Sequence, residues 1–163
     1  MRKLGKVSKT NVMRLLELHN IPYRAWQGDD SSGQTVQQQI LQEGMEKEQI
    51  FKTLVTVGKS KEHYVFMVPI EAELDLKKAA NSVKEKSIQM IQQKELLSLT
   101  GYVHGGCSPI GMKKEFQTVI DETACLYEMI IFSAGQVGHS VGVRLDDIQA
   151  VKKIEIKDLM SMD

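Results

Sequence analysis

Cysteine is scarce here. The 163 residues carry two, Cys107 and Cys125, too few for a disulfide framework and without metal-ligand spacing. Long apolar runs are missing as well: stretches such as Met129-Ile130-Ile131-Phe132 fall far short of the roughly 20 residues of a membrane span. Arg2 and Lys3 are not followed by an apolar stretch, so no secretory signal is expected. Net charge is absent too, with 21 Lys and Arg against 21 Asp and Glu. His19, His63, His104 and His139 are scattered and form no paired-ligand motif. A secreted miniprotein, a membrane protein and a zinc module are therefore not expected.

What remains is an ordinary globular composition, 42% hydrophobic and 26% charged. The length fits one domain that buries a real core, and no repeat or linker divides it. We expect a single domain over residues 1–163, with its core at about 10–158. Charge is uneven along it. From Met1 to Arg14 there are five basic residues and no acid, either a solvated terminus or an arm that meets phosphates.

The spacing predicts a helix over Thr10–Asn20, stopped by Ile21-Pro22, and a short strand over Tyr23–Gln27. Residues 28–33, Gly-Asp-Asp-Ser-Ser-Gly, read as a loop. Thr35–Glu43 is helical, with one further turn at Glu46–Gln49. Period-2 alternation over Phe51–Val57 and again over His63–Ile70, around Gly58–Glu62, predicts a hairpin. Asp75 caps a helix to Val83, Ile88–Met90 is a brief strand and Gln92–Leu99 is helical. Three more strands are expected at Gln117–Asp121, Met129–Ser133 and His139–Arg144. A helix capped by Asp146 and a closing strand at Lys153–Ile156 follow. Helices and strands interleave without regular alternation, which gives an α+β domain rather than a doubly wound sheet.

Three places offer chemistry. Lys52, in an otherwise apolar and β-branched strand, either snorkels to water or holds something negative in a cleft. Gly105-Gly106-Cys107-Ser108-Pro109-Ile110-Gly111 brings adjacent glycines, whose backbone N–H groups can approach an anion or oxyanion closely. A tight turn that needs positive φ explains the same residues. No Gly-Lys-Ser/Thr closes the loop, so it is not a P-loop. Ser133-Ala134-Gly135 ends a strand, and a plain hairpin turn accounts for it as well. Cys107 near His104, or Ser108 with His104 and Asp121, supplies the parts of a nucleophilic site but no spacing that enforces geometry. Cys107 reads as a small packing residue.

These segments, in this order, resemble the YbaK/EbsC branch of the prolyl-tRNA synthetase editing-domain superfamily. The likeness rests on Phe51-Lys52-Thr53-Leu54, on Val68-Pro69 followed by Leu74-Asp75-Leu76-Lys77-Lys78, and on Thr100 to Gly111. Lys113-Lys114, Ile120-Asp121 and Ser133-Ala134-Gly135 extend it, over about Thr10 to Asp158. The resemblance implies a mixed sheet or pseudo-barrel ringed by short helices. It also implies a free-standing, cytoplasmic trans-editing factor that deacylates mischarged Cys-tRNA(Pro) or Cys-tRNA(Cys), with no cofactor or metal. Attack by the cysteine's own thiol is the implied route. Partners would be aminoacyl-tRNA and a prolyl- or cysteinyl-tRNA synthetase, with no membrane. Lys52 would be the catalytic lysine. Gly105 and Gly106 would line the pocket with backbone donors, and Ser133 would lie across it. Thr53, Ser108, Gly135 and Ser140 complete the implied substrate-binding set. Two departures stand out: Gln136-Val137 where members often carry a basic pair, and Ser140 where many have an Asp.

Overall fold

A computed structural model of the chain describes residues 8–28 and 33–161. The N-terminal arm through residue 7 and Asp29–Ser32 of the expected loop lie outside the described residues. Helix α1 (Asn11–Leu18) begins where the Thr10 hydroxyl accepts from Met13 N–H at 3.3 Å, and it buries Val12, Met13 and Leu16. Strand β1 (Arg24–Gln27) follows. Helix α2 (Val36–Gln42) opens with a capping box. Gln38 N–H donates to the Thr35 hydroxyl at 3.1 Å, and the Gln38 amide accepts from Thr35 N–H at 2.8 Å.

The hairpin forms as the alternation predicts, β2 (Phe51–Gly58) against β3 (His63–Pro69). Asp75 caps α3 (Leu76–Ser82), accepting from Lys77 and Lys78 N–H. Strand β4 (Ile88–Met90), one 3₁₀ turn and α4 (Leu96–Thr100) come next, and Gly101 ends α4 with φ +86°. Strands β5 (Gln117–Asp121), β6 (Met129–Ser133) and β7 (His139–Arg144) lie where expected.

Three expectations need correction. The last helix, α5, spans Leu145–Ile148 after Arg144, so Asp146 lies inside its first turn and does not cap it. The closing strand, β8, is Glu155–Lys157 rather than Lys153–Ile156. The strands do not close into a barrel. They form a five-stranded mixed sheet, β4-β2-β3-β5-β8, and a three-stranded antiparallel sheet, β1-β7-β6. A single parallel bridge, Ile50 to Ile131, joins the two.

Alternation assigns the faces. Phe66 and Val68 of β3 meet Ala79, Ala80 and Val83 of α3 on one side of the large sheet. Met67, one residue out of phase, faces the other side with Phe51 and Ile120. There it packs on α1 and on Ile130, Phe132, Val141 and Val143 of the small sheet. Helix α2 covers the far face of the small sheet, where Val36 and Ile40 pack with Trp26 of β1 and Ile131 of β6. The main core therefore lies between the sheets. Strand β4 pairs with β2 only through Thr56–Gly58. On the edge away from β3 the first half of β2 therefore has no ladder partner, and the cleft opens there.

Candidate active site

A cleft of about 850 Å³ lies along this uncovered stretch of β2, with α2 and Gly28 at one side and α4 with the glycine loop at the other. Lys52, Thr53, Gly105, Ser133 and Ser140 all line it. These residues come from three distant parts of the chain, brought together by the Ile50–Ile131 bridge and by the Ser133↔Ser140 pairing of β6 with β7.

Lys52 is half-buried, and its ammonium makes no ion pair or hydrogen bond to any described residue. Among the described lining residues it alone has a fixed charge, and none bears a carboxylate. An ammonium left without a counter-ion in a partly dry cleft favours an anionic or carbonyl-bearing ligand.

The glycine loop divides into two roles. Gly105, at φ +86°, lines the cleft, and its N–H has no backbone partner among the described residues. Gly106 is buried, and its N–H donates to Val103 C=O at 2.9 Å, so it is not free to hold an oxyanion. Its lack of a side chain is needed for packing. A Cβ there would come within 3.0 Å of Val137 N and 3.2 Å of the Gln136 carbonyl carbon, where two loops touch through their backbones.

Ser108 and Gly135 also correct the expectation, because neither lines the cleft. Ser108 is fully buried, and its hydroxyl accepts from Ile110 N–H at 3.4 Å. Gly135, at φ +96°, donates its N–H to the Ser133 hydroxyl at 3.1 Å, and a Cβ would press on Tyr102 and Val12. The Ser108–His104–Asp121 grouping is not assembled either. Asp121 is buried with its carboxylate accepting from Leu159 N–H at 2.8 Å and from Thr123 N–H and hydroxyl at 3.0 and 2.7 Å.

Cys107 lines the cleft but is buried against Val55, Val65 and Leu96. Burial pushes its thiol pKa up to about 12, against a smaller opposing hydrogen bond involving Thr100. The thiol is protonated at neutral pH, and a protonated thiol is a poor nucleophile. Sequence reasoning passed over His139 as a scattered residue. It lines the cleft beside Ser140, with Nδ1 3.4 Å from Val137 C=O and Nε2 buried and unpartnered. Nothing in its own sequence neighbourhood marks it; only the β1–β7–β6 pairing carries it there. Among the described residues no three His, Cys, Asp or Glu side chains converge as a metal-ligand set.

This arrangement sets one ammonium without a partner among the described residues beside backbone and hydroxyl groups in an open cleft. Comparison with known proteins agrees on the family. The family model "Aminoacyl-tRNA editing domain" matches residues 30–151. A curated relative from Enterococcus faecalis, named "Putative Cys-tRNA(Pro)/Cys-tRNA(Cys) deacylase EbsC", is 45% identical over 145 residues, 86% of this chain and 87% of its own. The crystal structure of "a putative trans-editing enzyme for prolyl tRNA synthetase" shares the fold, with TM-score 0.78 at 24% identity over 95% of this chain and 100% of the other. A hypothetical protein designated APE2540 does so with TM-score 0.80 at 16% identity over 93% and 100%. With the family model spanning most of its length, the chain belongs to the aminoacyl-tRNA editing domain family.

Proposed function

We propose that the protein clears cysteine from mischarged tRNA, Cys-tRNA(Pro) or Cys-tRNA(Cys), as a free-standing deacylase in the cytoplasm. The observation that carries this reading is the unpaired Lys52 ammonium in a cleft whose own cysteine is held as an unreactive thiol. The named activity of the 45% identical relative supports the substrate.

The aminoacyl ester is already activated, so positioning and electrostatics supply the catalysis. Lys52 faces the ester and favours the anionic forms along the path. The substrate cysteine loses its thiol proton, and its sulfur attacks its own carbonyl carbon. A C–S bond forms, the tetrahedral oxyanion collapses, and the bond from carbonyl carbon to ribose oxygen breaks. The ribose oxygen takes up a proton, leaving free tRNA and a cysteine thiolactone, which water then opens. The Gly105 N–H is one donor available to the oxyanion. A synthetase that delivers the charged tRNA belongs to the same proposal.

A panel of aminoacyl-tRNAs tests it. Cys-tRNA should be deacylated much faster than Ser-tRNA, which is nearly isosteric but carries a weaker nucleophile, with the rate rising from pH 6 toward pH 8. Mass spectrometry at short times should find the thiolactone. Equal rates for the two esters, with free cysteine as the first product, would assign the attack to water. No turnover of any aminoacyl-tRNA would leave a binding module on this fold.

A further inference from the structure

Strand β2 leaves a short stretch of its bonding edge open where it borders the cleft. At one end of the hairpin Ile70 N–H donates to Ile50 C=O at 2.9 Å, and at the other Gly58 N–H donates to Glu62 C=O at 2.8 Å. Bonded positions alternate along an antiparallel ladder. The even-numbered residues of β2 therefore direct their backbone groups to β3, and Phe51, Thr53, Val55 and Val57 direct theirs to the opposite edge.

On that edge Val57 lies opposite Gln89 of β4, and Val55 C=O accepts from Ile91 N–H at 3.4 Å. The chain then leaves the ladder as the 3₁₀ turn Gln93–Glu95. At the other end Ile50 bridges Ile131. Thr53 stands between these two contacts and faces no strand. It lines the cleft, and its hydroxyl oxygen is also buried with no partner. Backbone N–H and C=O groups enclosed by protein are otherwise almost always paired, so a gap in the ladder inside a cavity is a place for ligand atoms.

We propose that Thr53 grips the amino acid of the substrate through its backbone. The α-aminoacyl group lies opposite it as a one-residue strand, its α-ammonium donating to Thr53 C=O and its acyl carbonyl accepting from Thr53 N–H. This rests on the reading of the cleft as an aminoacyl-ester site. The open groups run from the Thr53 N–H to the Val55 N–H, from which no described carbonyl outside the strands accepts, roughly 7 Å along the strand, a length that suits a single aminoacyl unit. The Thr53 N–H meets the carbonyl under attack, and so supplies the oxyanion donor that Gly106 does not.

Two measurements on the full chain test the grip. Calorimetry compares 3′-deoxy-3′-(L-cysteinylamino)adenosine, a stable amide of the aminoacyl end, with its 3-mercaptopropionyl counterpart, which lacks the α-ammonium. The wild-type protein should bind the amino form at least tenfold more tightly. Thr53→Pro removes the N–H that faces away from β3 and leaves the ladder intact. It should lower kcat/KM on Cys-tRNA on the order of 10²-fold. If the proline variant does not fold, a backbone ester at Thr53 makes the same deletion. Equal binding of the two analogues, or full activity of the proline or ester variant, would overturn the grip. If the analogues are discriminated but no aminoacyl-tRNA is turned over, the grip stands and the deacylase reading fails.

Discussion

The two flanks of the five-stranded sheet handle polar groups in opposite ways. On the side of β5 and β8 they are paired. The Asp121 carboxylate accepts three hydrogen bonds, and the Lys78 ammonium donates to Asp158 and to Met160 C=O, at 3.0 and 2.9 Å. On the side of β2 and the glycine loop, the Lys52 ammonium, the Thr53 hydroxyl oxygen and His139 Nε2 lack partners among the described residues. A buried polar group without a partner costs stability. One flank is therefore built to hold the chain together, and the other keeps its polar groups for something that binds. Substitutions should separate the two.

The largest effect is expected at Lys52. Lys52→Ala should lower kcat/KM for deacylation by about 10²- to 10³-fold with little change in melting temperature, since no hydrogen bond or ion pair of its ammonium is lost. A loss of stability equal to the loss of activity would erase the contrast between the flanks. Asp121→Ala should do the reverse. It strands one buried and two partly buried donors, which costs about 2 kcal/mol in denaturant unfolding, while activity per folded molecule is retained.

A smaller effect sharpens where RNA lies. Lys113 and Lys114 are exposed beside the end of α4, with Lys113 N–H donating to Thr100 C=O at 3.0 Å. Replacing both by alanine should weaken tRNA binding and reduce the slope of log affinity against log salt by about 1 for each lysine. An unchanged slope would remove them from the footprint. Arg2, Lys3 and Lys6 of the basic arm lie outside the described residues.

The smallest effect is expected at Cys107. With its thiol pKa at about 12, only about one molecule in ten thousand carries the thiolate at pH 8, and alkylation needs the thiolate. Iodoacetamide at pH 8 should therefore label the exposed Cys125 and spare Cys107. Cys107→Ala should stay within about threefold of wild-type activity, lose about 1 kcal/mol and keep the same pH–rate profile. A profile that flattens in this variant would make Cys107 the titrating group.

Most strands and helices were legible because each rests on short-range physics: period-2 runs at Phe51–Val57 and His63–Pro69, and caps at Thr10, Thr35 and Asp75. Asp146 misled because a good capping residue followed Arg144-Leu145, where β7 already ran into the helix. Gly106, Ser108 and Gly135 matched a functional motif, yet their side chains and N–H groups are taken up by neighbours such as Val103, Ile110 and Ser133. No local pattern distinguishes a glycine that faces ligand from one that lets two loops touch.

The sequence by itself determined the α+β class, the hairpin, the exclusion of a doubly wound sheet and, through resemblance, Lys52 as the residue of interest. These follow from alternation, capping and turn chemistry, or from a motif read in order. The tertiary structure decided the rest: two open sheets rather than a barrel, His139 beside Ser140 in the cleft, Cys107 held as a thiol, and the gap in the ladder opposite Thr53. Each depends on which strands lie side by side, and strand pairing is set by burial between residues far apart in the chain.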